Sequence, residues 1–351
     1  MFNKIIEIGG RRIGKKYPPF IIAEMSGNHN QSLDRALKIV DKAAEAEADA
    51  VKLQTYTPDT ITIRSSKKDF MIKGGLWNGH SLYDLYSSAY TPWEWHEELF
   101  KRAKDKNILI FSSPFDFSAI DFLEKLNCPI YKIASFEALD IPLVSKVAET
   151  KKPMIVSTGM SNFNEIEETV NAVYSKGCKD LILLHCVSGY PTPHEESHLK
   201  TIEDLESNFG CIVGLSDHTI GITSSISSIS LGASAIEKHV TLSRDDGGPD
   251  SSFSLEPNEL KELCIQSKIA KKSIGKINYE KKPSEVNNIV FRRSIYVVKN
   301  ISKGEKFTED NLKSIRPGYG IEPKFLPSLI GKECMVNLEV GDALKWNHIK
   351  K

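Results

Sequence analysis

Eight short runs rich in valine, isoleucine and aromatic residues punctuate this 351-residue chain before position 241. They are Ile21–Met25, Val51–Tyr56, Leu109–Pro114, Tyr131–Ser135, Met154–Thr158, Leu181–Val187, Val213–Asp217 and Ala235–Val240. A segment with helical spacing follows each run. Leu33, Ala36, Leu37, Val40 and Ala44 keep that spacing after the first, Ile166, Val170 and Val173 after the fifth, and Pro257, Leu260, Leu263, Ile265 and Ile269 after the eighth. Eight strand–helix units in about 250 residues predict an α/β fold, the closed (β/α)8 or TIM barrel. The competing architecture is an open doubly wound sheet, which calls for a glycine-rich phosphate loop after its first strand. The residues after Met25 form no such loop. Thr91-Pro92-Trp93-Glu94 reads as a capping box with proline at the first helical position.

One connection is far longer than its neighbours. Thr57–Tyr90, with Lys73-Gly74-Gly75-Leu76-Trp77-Asn78-Gly79 inside it, leaves the second strand at the end where barrel active sites lie. Long loops in compact domains carry function or are disordered, and this one is expected to be a substrate-facing flap. The pattern stops after Lys276. We expect a catalytic barrel over residues 1–278, a polar linker over 279–290 containing Lys281-Lys282-Pro283, and a small β domain over 291–351. That tail holds 12 Lys and Arg against 7 acidic residues, a net of +5, so the rest of the neutral chain carries −5. It also repeats itself: Asn300–Phe307 aligns with Asn337–Leu344. About 60 residues make a marginal core, so this module is expected to pack against something else.

Composition narrows the classes. Lys+Arg and Asp+Glu are both 46, which argues against a nucleic-acid binder and against a disordered acidic chain. The longest uncharged stretch, Thr219–Ile236, contains six serines and two glycines and makes a poor membrane span. Met1–Lys16 has no apolar core of a signal peptide. The six cysteines form no CxxC pair, so they read as reduced thiols of a cytoplasmic protein.

Polar groups crowd the carboxyl ends of the eight runs. They are Glu24; Lys52 and Gln54; Ser112 and Ser113; Lys132 and Ser135; Ser157 and Thr158; His185, Cys186 and, just beyond, Tyr190; Ser216, Asp217 and His218; and Glu237 and His239. Such a ring is difficult to explain as packing. Lysines pointing into a barrel are costly unless an anion meets them, and Lys52 and Lys132 with Ser113, Ser135, Ser157 and Ser216 could hold a small dianion such as a phosphate ester. The plainer alternative pairs each lysine with a carboxylate such as Glu24 or Glu237. His218 and His239 fall on adjacent strands, and two neutral imidazoles suit Mn, Fe, Co or Zn with positions left open. Spacing alone leaves open two hydrogen-bonded histidines without metal. His29 is a third candidate on a loop, whereas His194 and His198 read as solvated.

Several of these segments resemble the sialic acid synthase family. They are Ile21–Asn30 (IIAEMSGNHN), Val51–Tyr56 (VKLQTY), Tyr131–Ser135 (YKIAS), Ser157–Met160 (STGM), Gly214–Thr219 (GLSDHT) and Glu237–His239 (EKH). The tail, with Arg292-Arg293-Ser294 and Arg316-Pro317-Gly318, resembles that family's antifreeze-like (β-clip, SAF) domain. Lys68–Trp77, Ser81–Tyr86, Phe111–Phe115 and Gly248–Leu255 are similar to its pseudaminic acid branch. Two positions depart from the family pattern. Glu47 stands where glycine is usual and must tolerate a left-handed turn, at about 1 kcal/mol. Ser188 stands where better-known members have asparagine.

The resemblance implies a transferase that condenses phosphoenolpyruvate with the open-chain aldehyde of an N-acetylated amino sugar. For this branch the sugar is 2,4-diacetamido-2,4,6-trideoxy-L-altrose, and the products are pseudaminic acid and phosphate by metal-assisted C–O cleavage. It further implies that Lys52, Ser113, Lys132, Ser135, Ser157 and Ser216 hold phosphoenolpyruvate. His218 and His239 are implied to hold a divalent metal, Mn²⁺ foremost, with Mg²⁺ or Co²⁺ as alternatives. Glu24 is expected to position water or shuttle its proton, and Gln54, Tyr190, Glu237 and Asp250 to contact the sugar. Arg316 is expected to reach the sugar's N-acetyl group from the partner subunit of a domain-swapped homodimer. Alternatives are an N-acetylneuraminic or legionaminic acid synthase, a lysine Schiff-base aldolase, and a non-enzymatic carbohydrate- or ice-binding protein.

Overall fold

The computed structural model describes residues 1–350, which divide into two compact units at Gly275/Lys276. In the first, an antiparallel hairpin of β1 (Ile6–Ile8) and β2 (Arg11–Ile13) precedes the barrel. The alternation of polar and apolar residues near the amino terminus was its only sequence signal. Ile6, Ile8 and Ile13 are buried in one cluster with Phe20, Phe111 and Tyr131, so the hairpin closes the amino-terminal end of the barrel.

Eight parallel strands follow: β3 (Phe20–Glu24), β4 (Ala50–Thr55), β5 (Leu109–Pro114), β6 (Tyr131–Ile133), β7 (Met154–Ser157), β8 (Leu181–Cys186), β9 (Ile212–Asp217) and β10 (Ala235–His239). They pair in sequence order, and β10 returns to β3, which closes the barrel. This is the architecture read from the sequence. The largest difference in extent is at the fourth run, where the ladder ends at Ile133 and Ser135–Glu137 turn into a 3-10 segment.

The helices are α1 (Leu33–Glu45), α2 (Pro58–Ile61), α3 (Leu82–Ala89), α4 (His96–Asp105), α5 (Phe117–Lys125), α6 (Ile141–Glu149), α7 (Phe163–Ser175), α8 (Thr201–Phe209), α9 (Thr223–Ser230) and α10 (Pro257–Ile274). Their starts follow capping chemistry. The side chains of Ser32, Asp116, Asp140 and Asn162 each accept a backbone N–H of the first turn of α1, α5, α6 and α7. The expected box at Thr91–Glu94 does not form: Pro92 is the capping residue of a 3-10 turn, and the Thr91 hydroxyl lies 3.3 Å from His29 Nε2 instead. Glu47 does adopt the left-handed turn, at φ 62°, and bonds Lys268 Nζ at 2.7 Å. No helix among the described residues is long and apolar enough to cross a membrane.

The second unit begins with exposed 3-10 turns over Pro283–Phe291, where a plain linker was expected. Then β11 (Ser294–Val297) pairs antiparallel with β12 (Leu312–Ile315), and α11 (Leu326–Leu329) follows. The internal repeat folds into reciprocal contacts. Ile301 and Leu338 exchange both backbone hydrogen bonds, at 2.9 and 2.8 Å. Asn300 Oδ1 accepts the Val340 N–H at 2.9 Å, and its repeat mate Asn337 accepts the Lys303 N–H at 2.8 Å. Ile295, Val297, Ile301, Phe307, Leu338 and Leu344 form a core shared by both halves.

Candidate active site

Consecutive residues of a strand face opposite sides, so a barrel strand with a polar residue inside carries its neighbour outside. Among the polar groups at the strand ends, this alternation separates two sets. Glu24, Lys52, Gln54, Lys132, Ser157, Ser216, Glu237 and His239 line a cavity of about 450 Å³, joined by Ser135, Tyr190, His218 and Asp250 from the loops. Ser113 sits just behind, 3.4 Å from Lys52 Nζ. Ser112, Thr158, His185 and Asp217 are spent elsewhere. Ser112 bonds Thr55, Thr158 bonds the Leu184 carbonyl, His185 Nε2 bonds the Ser197 carbonyl, and Asp217 pairs with Lys238. His29 is also structural: it is buried, pushed down to about 4 chiefly by burial, and its Nδ1 accepts the Gln31 N–H. Arg316 belongs to the second unit, where it is exposed at the end of β12.

Two lysines and two carboxylates alternate on the cavity floor. Lys52 Nζ lies 3.1 Å from Glu24 Oε2 and 3.4 Å from Glu237 Oε1, and Lys132 Nζ lies 3.0 Å from both Glu237 oxygens. These are the pairings that the plainer reading of the lysines named. All four side chains are buried, so each charge depends on its neighbours. Burial raises the Glu24 carboxyl above its usual range, Lys52 only partly offsetting it. Burial also acts on Glu237, but there Lys132 and Lys52 outweigh it and hold the carboxyl well below its usual range. Burial lowers Lys132, while Lys52 between two carboxylates is raised despite its burial.

Buried polar atoms without partners mark where a ligand would bond. Ser157 Oγ is one, and Ser188 Oγ is another. Gly159 makes room beside them: a Cβ there would stand 2.3 Å from Ser188 Oγ and 2.6 Å from Ser135 Oγ. Glu24 Oε2 is a third, because Lys52 approaches it off the hydrogen-bond direction while Gln54 Nε2 holds Oε1 at 2.8 Å.

The two histidine rings stand 5.2 Å apart between centroids. His218 Nδ1 lies 2.9 Å from the Val187 carbonyl, which can only accept, so the proton sits on Nδ1 and Nε2 keeps its lone pair. His239 Nδ1 is buried without a hydrogen bond, and the Asp250 carboxylate is 3.5 Å away. Burial and the neighbouring His218 and Lys52 keep His239 neutral, whereas the Cys186 thiol and the Val187 carbonyl raise His218 despite its burial; with both rings neutral, each has an unspent nitrogen that fits a divalent ion. Among the described residues no group of three or more His, Cys, Asp or Glu converges as a metal cage. Any ion here would leave most of its coordination to water or substrate.

Sequence reasoning missed Glu137. It lines the cavity two residues past Ser135, its Oε2 is buried without a partner, and burial pushes it up to about 7. The signal was present, a carboxylate in the short turn after β6, but no strand periodicity reaches that turn. The flap was expected and does cover the cavity. Ile61, Ile72, Trp77, Leu82 and Leu85 line it, and Met71 bridges Ser81 to form its base. Trp77 Nε1 donates to the Pro249 carbonyl at 2.9 Å, and its ring stands 5.4 Å from Tyr190, which in turn lies 4.4 Å from His218.

The NeuB family model matches residues 39–279 of this chain, and the SAF domain model matches residues 292–350. The pseudaminic acid synthase of Campylobacter jejuni is 45% identical over 340 residues, covering 97% of this chain and 98% of that protein. The pseudaminic acid synthase of Helicobacter pylori is 42% identical, covering 95% and 98%. Among solved structures, the N-acetylneuraminic acid synthetase of Leptospira borgpetersenii superposes with a TM-score of 0.73 at 33% identity, covering 82% of this chain and 96% of that one.

Proposed function

The chain belongs to the NeuB family and carries a SAF domain, and from that premise we propose that it is a pseudaminic acid synthase. It is a transferase that joins phosphoenolpyruvate to the aldehyde of 2,4-diacetamido-2,4,6-trideoxy-L-altrose, giving pseudaminic acid and phosphate. The observation that carries this reading is the identity of 42–45% to pseudaminic acid synthases along nearly the whole chain.

The residues supply the chemistry as follows. Phosphoenolpyruvate brings two anionic groups, and Lys52 and Lys132 are the cations of the floor. Ser113, Ser135, Ser157 and Ser216 surround them with hydroxyls. C3 of phosphoenolpyruvate forms the new bond to the aldehyde carbon, whose oxygen takes a proton. Water then adds at C2, and phosphate leaves with the bridging oxygen. Glu24, with one oxygen held by Gln54 and the other unspent, orients that water and takes its proton; its burial-raised pKa suits a proton acceptor. Gln54, Tyr190, Glu237 and Asp250 hold the sugar. Metal dependence is general in the family. His218 and His239 are our proposed ligands, with Mn²⁺ preferred over Mg²⁺ or Co²⁺. A divalent ion there supplies Lewis-acid polarisation of the carbonyl.

We further assign the partner subunit's Arg316 to the sugar's N-acetyl group, in a head-to-tail homodimer with two composite sites. Three observations support this. Arg316 is exposed in its own unit, the small domain's +5 complements the −5 of the remainder, and Phe136, Leu139, Met160 and Ile220, with Phe163 at the start of α7, expose apolar surface just past the carboxyl ends of the barrel strands. The six free thiols, all buried, suit a cytoplasmic enzyme.

Mass spectrometry of the product made from phosphoenolpyruvate and each candidate sugar tests the reading. The L-altrose derivative should be consumed, and the sugars taken by the rival N-acetylneuraminic and legionaminic acid synthases should not. With oxygen-18 in the bridging C2–O position, the label should leave in phosphate. Label retained in the sugar acid refutes C–O cleavage, and borohydride trapping of pyruvate on Lys132 or Lys52 would establish the Schiff-base rival.

A further inference from the structure

His218 stands one residue past the end of its strand. The β9–β10 ladder pairs Ile236 with Leu215, Glu237 with Ser216 and Lys238 with Asp217, and it stops there. Backbone pairing therefore does not fix His218 against β10, where His239 sits. From the β8 side His218 is held twice. Its carbonyl accepts the Thr192 N–H at 3.1 Å, and its Nδ1 donates to the Val187 carbonyl at 2.9 Å.

On the β10 side one side chain takes over from the ladder. Glu237 and His239 face the cavity, so Lys238 between them points outward, behind the barrel wall. Its ammonium donates to the Thr219 carbonyl and lies 3.1 Å from Asp217 Oδ2. Asp217 completes the clasp: its Oδ1 accepts the Thr219 N–H at 2.9 Å, and its Oδ2 accepts the Ser225 hydroxyl of α9 at 2.5 Å. Both backbone polar groups of Thr219 are thus taken. The residues on either side of His218 are tied to the one chain position that separates Glu237 from His239.

Charge is out of place on this outer face. Val213 and Leu215 precede Asp217 on it, and Ile236 precedes Lys238; all three are buried. Lys238 and Asp217 are themselves shut off from solvent. Burying an ion pair costs about as much as it returns, and apolar side chains of similar volume would pack there without loss of stability. What the pair orients accounts for it better than what it stabilises.

We infer that Lys238, through Asp217 and Thr219, is a positioning residue that sets the placement of His218 relative to His239, and with it the affinity of the site for a divalent ion. This deepens the proposed function and rests on its assignment of both histidines to the metal. Groups that orient metal-binding histidines contribute about 10- to 100-fold in metal affinity, and a loss of that size is expected here.

Asp217→Asn/Lys238→Met removes both charges together, so no buried charge is left alone, and the asparagine keeps an acceptor for the Thr219 N–H. What it deletes is the donor to the Thr219 carbonyl. A second double variant, Asp217→Leu/Lys238→Met, makes the outer face apolar throughout and serves if the first does not fold. The full-length proteins are compared by urea unfolding, by calorimetric titration with Mn²⁺ alone, and by nitrogen-15 NMR of the histidine rings. The variant should unfold near the wild-type urea midpoint and bind Mn²⁺ about 10- to 100-fold more weakly. Its His218 ring signal, which needs neither metal nor turnover, should move away from the Nδ1–H form as the bond to Val187 loosens. A folded variant with wild-type Mn²⁺ affinity and an unmoved His218 signal overturns the inference and leaves the metal assignment standing. A wild type that takes up no Mn²⁺, with a His218 signal that still moves in the variant, keeps the positioning of His218 and refutes the metal assignment.

Discussion

Lys132 Nζ stands 3.0 Å from each carboxylate oxygen of Glu237, with both side chains almost wholly shut off from solvent. The two residues are 105 positions apart, and they meet because the barrel closes β6 and β10 around one interior. Lys52 bridges from Glu237 to Glu24, so the floor is a chain of alternating charges. An arriving dianion does not enter an empty cationic pocket. It competes with carboxylates already in place, and its affinity is the difference between two large electrostatic terms.

Removing one member of a buried pair therefore costs more than the pair itself contributes. Lys132→Met should lower stability by about 3–5 kcal/mol and weaken phosphoenolpyruvate binding at least about 100-fold. The double variant Lys132→Met/Glu237→Met should recover most of the stability and none of the turnover. Urea unfolding and phosphate release measure the two. Recovery of activity in the double variant would show that the pair serves the fold alone.

His218 and His239 offer only two ring nitrogens, so the bound ion should be exchangeable. Chelator should abolish turnover, and added Mn²⁺ should restore it. His218→Ala and His239→Ala should each lose most bound metal by elemental analysis, together with nearly all activity. Full turnover in chelator would remove the metal from the mechanism.

Glu137 should set a pH dependence of stability opposite to that of most carboxylates. Its folded pKa is about 7, against an ordinary 4.5, so the folded protein holds this proton more tightly than the unfolded chain. The corresponding stability is complete below about pH 4.5 and is lost as pH rises through 7, by at most roughly 3 kcal/mol. Glu137→Gln should therefore be more stable than the wild type at pH 8 and about equal to it at pH 4.5. Urea unfolding at both values checks this, and a gain that is the same at both would refute burial as the cause.

Two inactive homodimers should complement each other if the site is composite. Arg316→Ala and Lys132→Ala are each expected to be nearly inactive. Heterodimers with one subunit of each should regain roughly half the wild-type activity, because one of the two sites is then intact. Isolated heterodimers without recovery would place Arg316 in its own subunit's site. An active Arg316→Ala homodimer would take it out of the site altogether.

Alternation was enough to read the barrel. Eight runs with a helical segment after each predict a parallel α/β fold, and the missing glycine-rich loop after the first run sets the open doubly wound sheet aside in favour of the closed barrel. Position at the carboxyl ends of the runs also pointed out Glu24, Lys52, Lys132, Ser157, Ser216, Glu237 and His239, since that is the end of a barrel where active sites lie. The same rule could not by itself tell Ser112 from Ser113 or His185 from Cys186. Those are neighbours on one strand, and a shift of one residue reverses the face. Only the closed barrel fixed which of each pair looks inward.

The remaining features depend on contacts between segments far apart in the chain. Which lysine meets which carboxylate follows from the rotation of β4, β6 and β10 about the barrel axis, which no local pattern encodes. Glu137 lies in a turn, and the far side of the cavity comes from the flap; no strand period betrays the orientation of either. His29 and His239 are both buried histidines near strand ends, yet one is bonded to Thr91 and Gln31 while the other keeps a bare ring nitrogen in the cavity. Composition and spacing determined the architecture and the stock of reactive groups in this protein. Tertiary structure decided which of those groups are already satisfied and which are left for a ligand, because a buried polar atom's partner is set by what the fold brings within hydrogen-bond distance.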